Sequence, residues 1–437
     1  MFLHYLDLSW RSLKRTPMVS ILMIAAIGVG IGITMTSLSV YHMMSMNPIP
    51  HKSDQLFHLQ MNTMDDGQTW NTEDNLAFQL TYRDAMFLHN ADIPVLKTAS
   101  MRTGFSVHMN SPDMKPFLQG ARVTGRDFFT LFEQDFIYGD VWSQAQEDAA
   151  TPVVVISEGI NRRLFGGDNS IGKQVYLDDT GYQIVGVVKT WDTHIKYYDL
   201  NNGAFNDVEE LFIPISTLAI KETNSWGNTN GWKFQDIKTY QDRLQSEEFW
   251  LQFWVELKTP AARQEYGQFI EAYLTEQATT GRFTRETTQF ALRNVTEWLD
   301  YNNVVSEDNQ VLVGLSFMFL VVCLANILGL LLGKFLKRAP EVGVRRALGA
   351  NKRQIFAQHL VEVSVLGLLG GLLGIGIAQL GLWGVRASYE YYSALATMDL
   401  SMLFAAPAIA IGACIIAGLY PAWLVCRTTP AIYLKTQ

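Results

Sequence analysis

Four long apolar runs, one near the start and three near the end, constrain this chain more than any other feature. They cover residues 18–44, 310–333, 355–385 and 402–425. A helix that crosses the hydrocarbon core of a bilayer needs about 20 mostly apolar residues, so each run is long enough to span. The first run contains no Asp, Glu, Lys or Arg. It is longer than the apolar core of a secretory signal, and no small-residue cleavage site follows it. Residues 45–309, between the first two runs, are long enough to build cores of their own. The expected fold class is a membrane α-helical four-span bundle with a large inserted α+β domain.

Charge gives the orientation. The whole chain is only 17% charged and carries a net charge of -8, but the two signs are separated. Residues 47–308 hold 37 acidic and 21 basic side chains, whereas the rest holds 5 acidic and 13 basic. Lys334, Lys337, Arg338, Arg345, Arg346, Lys352 and Arg353 crowd the 334–354 loop against one acid, Glu341. The positive-inside rule makes that loop cytoplasmic. Four spans then place both ends, residues 1–17 and 426–437, inside. Residues 45–309 and the short 386–401 loop fall on the outer side. The acidic outer domain lacks the basic patch that nucleic-acid binding requires.

Residues 1–17 read as an amphipathic cytoplasmic segment with Phe2, Leu6, Trp10 and Leu13 on one side; extension of the first span is the competing reading. Small residues mark candidate helix contacts at Gly28 and Gly32 in the first span and at Gly367, Gly371 and Gly374 in the third. Gly370 and Gly374 form a second small-xxx-small pair. The spacing leaves open whether those contacts lie within the chain or between subunits. Glu362 is the one acid inside an apolar neighbourhood, and an interfacial position near Lys352 or Arg353 is expected for it rather than a proton relay.

The outer domain alternates strand and helix signals. A strand is predicted after the first span at DQLFHLQM, an amphipathic helix over 73–90, and short segments with turns between 93 and 126. A buried strand in ATPVVVISEG precedes a helix start at INRRLF. The stretch KQVYLDDTGYQIVGVVKTW reads as a hairpin. Strands at 211–215 and 250–257 and a helix over 260–278 complete an α+β domain with two expected lobes, divided near 120–150. Its histidines (His51, His58, His89, His108 and His194) are scattered without metal-ligand spacing, and no GxSxG elbow surrounds Ser157. Neither catalytic, cofactor nor metal residues are expected. Trp226, Trp232, Trp250 and Trp254 read as core or lobe contacts. The three cysteines all lie in or beside the terminal apolar runs, so the outer domain is built without disulfides.

Three stretches carry a resemblance. RAPEVGVRRALGANKRQIFAQHLVEVSVLGLLGGLLG resembles the signature of the FtsX-like permease family, and AGLYPAWLVCRTTPAIYLK resembles its closing motif. ISEGINRRLFGGDNSIGKQVYLDDTGYQIVGVV is similar to a MacB-like periplasmic core. The resemblance implies the type VII ABC transporter fold, in which two four-span subunits, identical or related, pair in the membrane. A cytoplasmic ABC ATPase dimer engages the inner loop and changes the shape of the periplasmic assembly. Residues 340–349 combine Glu341, Arg345 and Arg346 with apolar Val342, Val344 and Leu348, which suits a short coupling helix whose apolar side docks while its charges meet the ATPase. No GxxxxGK[ST] phosphate loop occurs, so ATP and magnesium are expected in a separate ATPase. The implied function is export or efflux of a small molecule or peptide, with a periplasmic adaptor and outer-membrane duct among the partners. Lipoprotein release is the transport-side alternative, and regulation of a periplasmic cell-wall hydrolase the non-transporting one.

Overall fold

The computed structural model describes residues 2–110, 114–191, 193–388, 398 and 400–427. It separates into two compact units, Met1–Met46 with Val305–Gln437, and Asn47–Val304. Most of the short outer loop and the tail from residue 428 lie outside the described residues.

In the first unit, four helices among the described residues are long and apolar enough to cross a membrane. They are Pro17–Ser45, Glu307–Lys337, Lys352–Ser388 and Leu400–Arg427, the first to fourth spans. A separate helix, Phe2–Arg15, precedes them. The break falls at Thr16, whose φ of -130° and ψ of 64° lie outside the helical region that a following proline disfavours, and Pro17 opens the first span. The amphipathic segment is therefore a helix of its own rather than an extension of the span. Its inward face is not the expected apolar side: Ser9, Ser12 and Leu13 are buried while Trp10 is half exposed. The serines allow close approach, and Ser9 Oγ donates back to the Tyr5 carbonyl at 2.8 Å.

The third span lies between the first and the fourth and turns a glycine pair toward each. A Cβ on Gly370 or Gly374 would strike Ile27 or Ile31 of the first span, and one on Gly28 or Gly32 would strike Leu373 or Ile377 in return. On its other side, Gly367 and Gly371 meet Ile411 and Pro407 of the fourth span at 2.9 Å and 2.8 Å from an added Cβ. These approaches are all within one chain. Without side chains between them the helix backbones come close enough for dispersion contacts, which in lipid replace the hydrophobic drive for association.

The second unit is built on twelve strands among the described residues. They are β1 Leu56–Met61, β2 Leu80–Thr81, β3 Lys97–His108, β4 Phe117–Thr124, β5 Phe136–Gly139 and β6 Val153–Ser157. Then follow β7 Gln174–Leu177, β8 Thr180–Val188, β9 Leu211–Pro214, β10 Asn230–Gly231, β11 Glu248–Glu256 and β12 Phe290–Asn294. The main path runs β12-β1-β11-β3-β4-β9-β6-β8-β5. It is mostly antiparallel, with parallel pairs β4–β9 and β6–β8. The two expected lobes are not separate: β4 pairs with β9, which pairs with β6, so one sheet continues through 120–150. The period of two explains the continuous apolar run of β6. Val154 and Ile156 enter the core on one face with Leu59, Met101 and Phe253. Val153 and Val155 enter that on the other with Leu56, Phe212 and Trp254.

Where periodicity alone misleads, a local hydrogen bond decides. The helix expected over 73–90 is only Tyr82–Asn90. Leu80 instead pairs with Leu251 in the sheet, and Thr81 caps the helix by accepting from the Asp84 amide. Between β3 and β4 the expected short segments are one long antiparallel pair. The β7–β8 hairpin turns at Asp178, whose φ of 50° is left-handed. The helix over 158–165 is capped by Ser157 and closed by left-handed Gly166.

Candidate coupling site at the inner face

The loop between the second and third spans folds into a helix, Ala339–Ala347, with Pro340 in its first turn and Gly349 in the left-handed conformation just beyond its end. Ala339 and Val342 are buried, whereas Val344 is 50% and Leu348 83% exposed. The apolar side of this helix is thus split: two residues anchor it, and two, at i and i+4, stand outward on adjacent turns. Arg345 pairs with Glu341 at 2.7 Å and donates to Gln358 Oε1 at 3.3 Å. Arg346 turns toward the fourth span and donates to the Cys426 carbonyl at 3.4 Å. The six residues singled out in this helix therefore divide. Glu341, Arg345, Val344 and Leu348 face outward, while Val342 and the Arg346 hydrogen bond tie the helix to the bundle.

Behind this helix lies a buried charge cluster that places Glu362 differently from the sequence expectation. Glu362 is 1% exposed and pairs with Lys334, at 2.8 Å, rather than with Lys352 or Arg353. Arg338 follows at 3.8 Å and His359 at 3.9 Å. Ser12 of the first helix donates to the same carboxylate and accepts from Arg338, whose other nitrogen donates to the Ser12 carbonyl at 3.1 Å. Lys334 lies in the last helical turn of the second span, where it reads in sequence as an ordinary positive end signal. Nothing local marks it out, because Lys337 and Arg338 follow within four residues; a buried cation and a buried acid are nonetheless each costly unless they meet. Glu362 Oε2 and His359 Nδ1 still lack hydrogen-bond partners. The cluster joins the N-terminal helix, the second span and the third.

The outer unit holds its own buried charges, and they are paired. Arg122, fully buried, bonds Glu209 through two nitrogens at 3.0 Å and 3.3 Å and also meets Asp199. Lys196 Nζ lies 2.5 Å from Glu209, and the Tyr198 hydroxyl donates to it at 2.9 Å. Burial raises the Glu209 carboxyl, but Arg122 and Lys196 outweigh it and hold the group below the usual range. Trp250 and Trp254 are core. Trp226 lies across β3 at Gly104, where an added Cβ would come 2.1 Å from its ring. Trp232 packs on a small satellite cluster around Phe249. Among the described residues no group of three or more His, Cys, Asp or Glu side chains is placed to hold a metal ion.

Two family descriptions match the chain, MacB-like periplasmic core domain over residues 20–273 and FtsX-like permease C-terminal over residues 313–430. The macrolide export ATP-binding/permease protein MacB of Haemophilus ducreyi is 23% identical over 75% of this chain and 42% of its own length. The Pasteurella multocida protein of the same name is 24% identical over 86% of this chain and 52% of its own. The pyoverdine export ATP-binding/permease protein PvdT of Pseudomonas aeruginosa is 24% identical over 71% and 41%. The chain spans about half the length of these curated relatives. Among solved structures, the periplasmic region of MacB from Actinobacillus actinomycetemcomitans aligns with 15% identity and a TM-score of 0.35, over 56% of this chain and 92% of that one.

Proposed function

The chain belongs to the family that joins a MacB-like periplasmic core domain to an FtsX-like permease C-terminal region, and from that premise we propose that it is the permease subunit of an ABC export complex. It is a multi-pass inner-membrane protein with its large α+β unit in the periplasm. In this reading, the helix Ala339–Ala347 and the following Leu348 receive a separate cytoplasmic ABC ATPase. The spans convert ATP-driven movement there into a change of shape in the periplasmic unit. The cargo is a small molecule or peptide taken up on the periplasmic side, passed to an adaptor and an outer-membrane duct. A second permease subunit completes the membrane pair.

The single observation that carries the reading is the exposure of Val344 and Leu348 beside Glu341 and Arg345, on a helix whose other side is anchored. Burying two aliphatic side chains against a partner contributes about 3–5 kcal/mol before the costs of association. The flanking charges set orientation more than strength. Affinity capture of the full chain from membranes should recover an ABC ATPase. Val344→Asp with Leu348→Asp should reduce that recovery about 100-fold, with membrane insertion unchanged. Arg345→Glu should weaken it less. If no ABC ATPase accompanies the wild-type chain, or the double variant retains it in full, the coupling assignment is wrong.

A further inference from the structure

A cavity of 150 Å³ opens beside the inner-face cluster. Its walls include Arg11, Ser12 and Arg15 from the N-terminal helix, Arg338, and Glu341 and Arg345 from the helix between the second and third spans. Four arginines thus line a space equal to about five water molecules, Arg11 and Arg15 from its exposed rim. Their internal partners are too few to neutralise them. Arg11 has Asp7 at 2.8 Å. Glu341 is shared between Arg345 at 2.7 Å and Arg15 at 3.7 Å. Glu362 is shared between Arg338 and Lys334. Five cations therefore lean on three carboxylates. Arginine's planar fork pairs bidentately with carboxylate and phosphate oxygens, so the chemistry selected is an oxyanion, and phosphate is the one a membrane surface supplies.

The surroundings point to where that phosphate comes from. Arg15 stands three residues before Met18, which is 82% exposed and followed by exposed Ile21 and Leu22 on the first span. Trp10, half exposed on the same short helix with Lys14 5.5 Å from its ring, is the kind of side chain that settles at headgroup depth. A free phosphate has no use for that apolar border, whereas a lipid has its acyl chains to lay along it. We propose that this cavity binds the phosphodiester headgroup of an anionic phospholipid from the cytoplasmic leaflet. The lipid then joins the N-terminal helix to the helix that carries Val344 and Leu348. The site shares Glu341 and Arg345 with the coupling helix but draws Arg11, Ser12, Arg15 and Arg338 from elsewhere, and it stands whether or not an ATPase docks at that pair.

Native mass spectrometry of the full chain in detergent tests it, with phosphatidylglycerol, phosphatidylcholine or inorganic phosphate added. Phosphatidylglycerol should be retained as one lipid per chain, and Arg11→Gln with Arg15→Gln should lower that retention about 25-fold, since each basic residue near an anionic headgroup contributes roughly a factor of five. Arg11→Lys with Arg15→Lys should restore most of it. Equal retention of phosphatidylcholine, displacement by equimolar inorganic phosphate, or unchanged retention in the Gln variant each overturns the assignment. The same Gln variant is carried through ATPase capture. Loss of lipid with ATPase retained supports the lipid site and leaves the coupling reading intact, whereas loss of ATPase with lipid retained makes the cavity a protein contact and overturns the lipid assignment.

Discussion

Buried charge is spent differently in the two units, and the difference is decided by single residues. Arg122 is surrounded by Glu209, Asp199 and the ring of Tyr198, whose centroid lies 4.7 Å from its guanidinium carbon. Replacing it with methionine leaves two carboxylates facing one lysine without water, a change that typically costs about 3–5 kcal/mol. Arg122→Met should therefore lower the melting temperature of the full chain, read by tryptophan fluorescence, far more than Arg162→Met at an exposed pair on the 158–165 helix. His58 has the opposite problem. It is buried in stacked contact with Trp298, ring centroids 3.8 Å apart, and neither nitrogen finds a partner. Burial, reinforced by Arg293, pushes it down to about 3. The unfolded chain binds a proton at about 6.5 that the folded one refuses, so stability is full above that value and falls as pH drops. Between pH 6.5 and 5 this histidine alone should remove on the order of 2 kcal/mol, and His58→Phe should flatten that part of the stability profile. An equally steep profile in the variant would show that His58 is not the source. None of these partnerships was legible in the sequence, where His58 is one of five scattered histidines and Glu362 sits nearest Lys352 and Arg353. Sequence proximity ranks charges along a chain, but burial forces each to find the nearest opposite charge in space.

At the scale of elements, spacing proved more informative than composition. Gly367, Gly370, Gly371 and Gly374 lie on one span at two interleaved i, i+4 spacings, and the two pairs face different neighbours. Gly376 on the same span meets nothing within 4 Å. That gives a comparison on one helix between a glycine buried against the fourth span and an exposed one. Gly371→Val should lower the thermal stability of the detergent-solubilised chain by several degrees, because its Cβ would press on the backbone of Pro407 and overpacking costs about 1–3 kcal/mol. Gly376→Val should leave it within about a degree or raise it, valine being the better spanning residue. Similar losses at both positions would mean that glycine is needed for helix flexibility rather than for contact. The alternation in β6 and the hairpin of β7 and β8 were readable for the same reason, since period and turn chemistry are local. The 73–90 stretch was not, because its apolar spacing fits a helix while Leu80 is claimed by a strand more than 150 residues away. Long-range pairing of that kind outranks local preference and leaves no local trace.

For the whole molecule, the decisive fact is that the chain passes between its two units only twice, after Met46 and after Val304. The four-span plan with its inserted α+β domain was evident from hydropathy and charge. The unity of the outer sheet was not, because the parallel β4–β9 pair joins segments that share no local pattern. The two crossings are short: the first span ends at Ser45, and the second begins at Glu307. Just inside the outer unit, Ile49 and Val304 are both buried in the same hydrophobic cluster, with Leu56, Val295 and Trp298. Movement of either span therefore reaches one packed core rather than two independent tethers, and packed cores transmit displacement because they are close to incompressible. If export is driven by such transmission, the stiffness of the crossings matters more than their composition. Inserting about eight Gly/Ser residues between Val304 and Val305 introduces a flexible coil. Neither packed unit is interrupted by it. Melting of the outer unit and recovery of the ATPase should then be close to wild type, while efflux from whole cells of any small-molecule probe that the wild-type chain exports should fall to the level of the deletion strain. A rigid Pro-rich insert of equal length should preserve more efflux than the flexible one, since it keeps the push while changing the reach. Equal export with both inserts would mean that the two units communicate without mechanical transmission through this connection, and the coupling helix would then need another role.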